Sequence, residues 1–149
     1  MLPLIVMAVV WVVMRGAGAA RLIDAAATWT GALRFSLAAM FAFTAASHFL
    51  PRTRPDLVRM VPHGLPNPGL LVSLTGICEL AGAVGLLVPP FVTAAAWALL
   101  VMLVAMFPAN IHAARSHLLV AGRPATPLAI RLPMQLFWIG ALWQVARHL

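Results

Sequence analysis

The chain has 149 residues, 63% of them hydrophobic and 9% charged, with a mean hydropathy of +0.99; soluble domains run at roughly 45–50% apolar and roughly 25% charged, which argues against a water-soluble fold of this size. The formal net charge of +7 comes from ten arginines, with no lysine, against Asp24, Asp56 and Glu79, and the arginines lie between apolar segments rather than in one patch interleaved with aromatics, which argues against nucleic acid and for charges flanking a bilayer. A single cysteine, Cys78, excludes an intrachain disulfide and a CxxC redox pair, and a lone cysteine of this kind reads as a small inert hydrophobe.

A spanning helix needs about 20 mostly apolar residues. The first apolar stretch, Leu2 to Met14, is short of that, but extended through Gly16 to Ala20 it reads as an extra N-terminal transmembrane helix. The alternative is a signal-peptide core, with Ala17, Gly18 and Ala19 resembling a cleavage site; no basic residue precedes it and Arg15 intervenes, which favours the uncleaved helix. Ala25 to Leu50 is the second segment. Pro51 to Gly69, rich in Pro, Arg and His, is expected to be a loop.

Leu70 to Val88 and Phe91 to Phe107 form an antiparallel hairpin, because Pro89 and Pro90 between them cannot donate backbone hydrogen bonds. Gly76, Ala81, Gly82 and Gly85 on the first of these helices are small enough for close helix packing, Ala81 and Gly85 forming a small-xxx-small pair. A further loop, Pro108 to Pro127, leads to the last segment, Leu128 to Ala146. The expectation is an all-α integral membrane bundle: one domain over residues 1–149, with a four-helix core over 25–146 and the extra helix over 1–20. Arg52, Arg54, Arg59, Arg115, Arg123 and Arg131 fall on one side and Arg15, Arg21 and Arg147 on the other, so the positive-inside rule puts the first group in the cytoplasm.

Within the second segment Arg34, Leu37, Phe41, Thr44 and His48 recur at helical spacing and share one stripe. Glu79 lies nine residues into the antiparallel third segment, about 13 Å from the shared membrane side, with Arg34 about 21 Å deep, so an Arg34–Glu79 ion pair is expected. Asn110 follows the fourth segment, and Arg131 and Gln135, at i and i+4, share a face of the fifth. His48, Glu79, Asn110, Arg131 and Gln135 are therefore expected to converge near one end of the bundle. His48 and Glu79 are the candidate proton-handling groups, and Arg34 joins the set as a ligand-binding candidate, since ionisable residues inside a membrane are functional candidates by default.

His48, His63, His112, His117 and His148 show no HExxH or other tight ligand spacing, so no metal site is expected. Trp11, Trp29, Trp97, Trp138 and Trp143 read as packing and interface anchors.

Leu33-Arg34 through Ser47-His48-Phe49, Met60-Val61-Pro62 with Leu65-Pro66, Gly76 and Glu79 before Gly85-Leu86-Leu87, Phe107-Pro108-Ala109-Asn110-Ile111, and Arg131-Leu132-Pro133-Met134-Gln135 occur in that order. Over roughly Ala32 to Trp143 this pattern resembles the DoxX family of small bacterial membrane proteins. The resemblance implies a four-helix core in the bacterial cytoplasmic membrane and an association with quinone-linked redox systems, in some relatives as a subunit of a quinone oxidoreductase. A quinone suits the polar set, because its carbonyls accept from donors such as His48, Asn110, Gln135 or Arg131. The chain shows no haem-attachment, flavin or dithiol motif of its own, so such a role needs a redox partner protein. Two other classes compete: a non-enzymatic scaffold or assembly factor whose polar cluster pins helix register, and a small-molecule or proton transporter. The Gly-rich third segment fits self-association into a homo-oligomer and burial inside the bundle equally well, and the sequence favours neither.

Overall fold

The computed structural model describes residues 2–116, 119–120, 123–124 and 126–148. Its described residues form helices joined by turns, with a ribbon in which Leu119–Val120 pairs antiparallel with Arg123–Pro124. The helices are α1 (Leu2–Ala19), α2 (Trp29–Ser47), α3 (Arg54–Met60), α4 (Pro68–Leu87), α5 (Val92–Ala105), α6 (Phe107–Arg115) and α7 (Leu128–His148).

Local chemistry sets the helix starts. Thr28 caps α2, its Oγ1 accepting from the Gly31 N–H at 3.0 Å and satisfying one of the free donors of the first turn. Proline stands at the first or second position of α3, α4 and α6, where its fixed φ favours the helix and its missing N–H is no loss. Asp56 in the first turn of α3 with Arg59 in its last, and His112 with Arg115 in the last turn of α6, complement the helix dipoles. These features explain why stretches expected to be loops contain α3 and α6. Proline ends one helix there and opens the next.

α2 is central, packing against α1, α4 and α7, while α5 packs against α4 and α7. Leu37, Met40 and Phe41 of α2, Leu86 of α4, Leu99 of α5 and Leu142 and Val145 of α7 are fully buried where these helices meet. Glycines set how closely α4 and α5 approach: a Cβ on Gly82 would lie 2.5 Å from Leu99 Cδ2, and one on Gly85 2.7 Å from Ala95 Cβ. Gly82, rather than the outward-facing Ala81, is the small residue used together with Gly85.

Apolar side chains fill the core and also cover much of the outer surface. Arg34, Ser36, His48, Glu79 and Gln135 are buried, while Leu70, Leu74, Ile77, Val84 and Leu87 of α4, Val9 and Val12 of α1, and Val101 and Val104 of α5 are exposed. Leu2–Ala19, Pro68–Leu87 and the 27-residue stretch Pro89–Arg115 are long and apolar enough to cross a membrane. α2 and α7 have comparable length, 19 and 21 residues, but Arg34 in one and Arg131, Gln135, Gln144 and Arg147 in the other make them less apolar. These two helices carry most of the buried polar side chains.

Candidate functional site

A cavity of about 690 Å³ opens beside the C-terminal end of α2. Its walls are Leu57 and Met60 of α3, the Val61–Leu65 turn, Leu71 and Val72 of α4, and Met102, Ala105, Met106, Pro108 and Ala109 around the α5–α6 junction. Three polar side chains also line it: His48, Thr75 and Asn110. Most of its surface is therefore hydrocarbon, with a few polar groups placed at its edges.

His48 is the C-cap of α2 and packs directly on α4, where a Cβ added to Gly76 would lie 2.6 Å from His48 Cβ. Its ring Nδ1 is 2.8 Å from Val72 O and 3.2 Å from Thr75 Oγ1. Nε2 lies 3.6 Å from Glu79 Oε2, both side chains being about 5% exposed. The Thr44 hydroxyl sits against the same carboxyl, on the stripe that the helical spacing of α2 assigns to it.

Asn110, on α6, belongs to a second group. Arg131 Nη1 donates to Asn110 Oδ1 at 2.5 Å and Nε donates to Thr126 O at 3.1 Å. Asn110 Nδ2 donates to Gln135 Oε1 at 3.4 Å, and Gln135 Nε2 donates to Leu103 O at 2.6 Å. This chain of bonds orients the Asn110 amide. Its oxygen is taken by a guanidinium and one of its N–H groups by Gln135, which leaves the second N–H as a donor for the cavity.

The residues singled out in the sequence thus form two groups around one cavity: His48 with Glu79 behind it, and Asn110 with Arg131 and Gln135 behind it. Arg34 belongs to neither. Among the described residues no ion pair joins it to Glu79, whose nearest ionisable neighbour is His48. The physical reason is register: His48 meets α4 at Val72–Gly76, so Glu79 lies level with the last turns of α2, while Arg34 is roughly four turns away along that helix. Arg34 is buried with its guanidinium over the Phe35 ring at 4.8 Å and its Nε without a hydrogen-bond partner among the described residues.

Two contributors are absent from the sequence-derived set. Thr75 reaches both His48 and the cavity. Arg54, read from sequence as a membrane-flanking charge, donates through Nη1 to His48 O at 2.9 Å and through Nη2 to Gly69 O at 3.1 Å and Ser73 Oγ at 2.9 Å. It ties the first turns of α4 to the C-terminus of α2, whose free carbonyls need donors and favour a cation. The one sequence signal was its place just past the end of an apolar segment.

Cys78 is exposed, on the outward side of α4 and away from the cavity. The His63 and His112 rings meet edge to face at 5.2 Å, while His117 lies outside the described residues. Among the described residues, no group of three or more His, Cys, Asp or Glu side chains is placed to hold a metal ion. Trp11 stacks edge-on against Trp29 and Trp97 against Trp143, joining α1 to α2 and α5 to α7.

Comparison with curated proteins returned no match, and comparison with solved structures returned none. A family model described as a domain of unknown function, DUF8561, matches residues 37–146, from the middle of α2 to near the end of α7 and therefore across both polar groups of the site, and the chain belongs to that family.

Proposed function

We propose that this chain is a DoxX-like integral membrane protein of the bacterial cytoplasmic membrane that binds a lipid-soluble redox molecule, such as a quinone, for a membrane-associated redox system. The observation that carries the reading is the cavity: about 690 Å³, within the roughly 300–1,000 Å³ usual for small-molecule sites, apolar in most of its lining and with three polar side chains, His48 and Thr75 from the α2–α4 side and Asn110 from α6. A quinone matches this pattern of an apolar ring and tail with a carbonyl at each end of the ring. The Asn110 N–H is a donor for one carbonyl, and the Thr75 hydroxyl, which donates to Leu71 O or Val72 O, reaches the other by turning its single hydrogen toward the cavity.

Exposed apolar faces and buried polar groups support insertion of the bundle, with α1, α2, α4, the α5–α6 stretch and α7 crossing the bilayer. Lipid solvates the outer faces in this arrangement, while the ionisable groups face protein. The cavity then lies toward the side that carries Arg52, Arg54 and Arg59, which is cytoplasmic by the positive-inside rule. Electrons for the bound molecule come from a partner protein.

The test is solvent extraction and mass spectrometry of protein purified gently from a quinone-containing membrane. A quinone is expected at near one-to-one ratio, falling about tenfold in Asn110→Ala, a loss of about 1.4 kcal/mol that a hydrogen bond and its packing can supply. Extracts lacking quinone, with another protein co-purifying reproducibly, would overturn the ligand reading in favour of a scaffold.

A further inference from the structure

The hydrogen positions of the His48–Glu79 pair follow from its neighbours. Val72 O, 2.8 Å from His48 Nδ1, is a carbonyl oxygen and only accepts, so Nδ1 carries a hydrogen and the tautomer is fixed. Nε2 then faces Glu79 Oε2 at 3.6 Å, and that oxygen has no hydrogen-bond partner among the described residues. With a neutral imidazole and an ionised carboxylate, two lone pairs would oppose each other in an apolar interior, an arrangement buried polar groups avoid.

One proton held by either atom removes the conflict, in an ion-pair contact that at 3.6 Å is longer than a hydrogen bond. On Nε2 it makes an imidazolium beside a carboxylate; on Oε2 it makes an imidazole beside a carboxylic acid. Both forms are electrically neutral as a pair, which suits a bundle core. Among the surrounding charges, Arg54 faces the pair from α3, held on the His48 carbonyl oxygen, and Asp56 and Arg59 of the same helix pair with each other at 3.5 Å. Arg34 of α2 is roughly four turns away.

Thr75 Oγ1 lies 3.2 Å from the protonated Nδ1, donates to Leu71 O or Val72 O at 3.0 and 2.9 Å, and lines the cavity. We infer that Thr75, His48 and Glu79 form a proton relay with one mobile proton, through which the cavity exchanges a proton with an oxygen of a bound quinol. This inference rests on the quinone reading above.

In the direction of delivery, the Thr75 hydroxyl passes its hydrogen to a quinol oxyanion and receives the Nδ1 hydrogen, while the shared proton settles on Nε2. The oxyanion gains one proton and the pair loses one, leaving a carboxylate that faces Nε2–H. Nδ1, now bare and facing Val72 O, drives uptake of a replacement proton. No electron moves in these steps.

Nitrogen NMR of histidine-labelled protein in lipid nanodiscs tests the relay, the His48 signals being those lost in H48Q. The expected result is a protonated Nδ1 and an Nε2 with the intermediate shift of a nitrogen sharing its proton with a carboxyl, replaced in E79Q by the shift of a bare nitrogen. A wild-type Nδ1 without hydrogen, or an Nε2 signal that E79Q leaves unaltered, overturns the shared proton. Adding menadiol under reducing conditions is expected to move both nitrogen signals in wild type and in T75S but not in T75V. A response retained in folded T75V overturns the Thr75 route. No response in wild type, together with no quinone in the extracts, overturns the ligand reading, while the E79Q comparison still decides the shared proton.

Discussion

Replacing Gly76 by alanine is expected to destabilise the protein by about 2 kcal/mol, at a helix position where the same change ordinarily stabilises by about 0.5–1 kcal/mol. The added Cβ would lie 2.6 Å from His48 Cβ, 2.9 Å from Phe49 Cε2 and 3.0 Å from His48 Cγ. The first of these atoms is fixed to the backbone of α2 and cannot swing aside, so α2 and α4 must separate. Separation lengthens the Nδ1–Val72 O bond and the His48–Glu79 approach together. Gly69→Ala in the first turn of α4, with open space around its Cβ, is the internal control and is expected to lose nothing. The measurement is the thermal unfolding midpoint of both variants in the same detergent. A Gly76→Ala protein as stable as Gly69→Ala would show that His48 does not pack on α4 at this point.

Arg131→Leu is expected to weaken quinone retention by more than tenfold, about 1.5–3 kcal/mol, the usual range for a hydrogen bond to a charged group. The guanidinium holds two acceptors at once, Asn110 Oδ1 and Thr126 O. Without it the Asn110 oxygen loses its donor, and the amide is free to turn its oxygen toward the cavity, presenting an acceptor to a ligand that itself only accepts. Arg131→Lys is expected to fall between, since one ammonium lacks the rigid fork that serves both oxygens. Titration of a short-chain quinone into reconstituted protein, followed by quenching of Trp138 and its neighbours, measures the three affinities. Equal affinity in Arg131→Leu and wild type would remove Asn110 from the site.

Periodicity carried much of this arrangement in the sequence. The stripe from Leu37 to His48 was legible because apolar and polar residues recur at helical spacing, and Arg131 with Gln135 because i and i+4 share a face. What periodicity does not contain is the vertical offset between neighbouring helices. Taking the ends of α2 and α4 as level put Glu79 within reach of Arg34, whereas the contact of His48 with Gly76 sets it beside His48.

The cavity was hidden for a different reason. Two of its walls, α3 and the start of α6 from Pro108, come from proline-containing stretches that read as loops, and helices as short as the seven residues of α3 are marginal in isolation and owe their stability to tertiary contacts. Arg54 was hidden likewise, because a flanking arginine and one clamping two helix ends have the same sequence context.

That clamp also bears on how a ligand comes and goes. α3 forms one wall of the cavity, and its first residue is tied at three points to α2 and α4, so this wall is closed to traffic. The Pro62–Leu65 turn, closed by a single backbone bond of 3.0 Å from Leu65 N to Pro62 O, is the side with least to break, and Gly64 within it has open space for a Cβ. Stiffening the turn with Gly64→Ala, which narrows its backbone freedom by about 0.4–1 kcal/mol, is therefore expected to slow exchange of bound quinone severalfold in stopped-flow displacement while leaving equilibrium affinity nearly unchanged; unaltered exchange would put the doorway elsewhere. The lifetime of the bound molecule is then set at this turn, and the strength of its binding at Asn110 and Thr75.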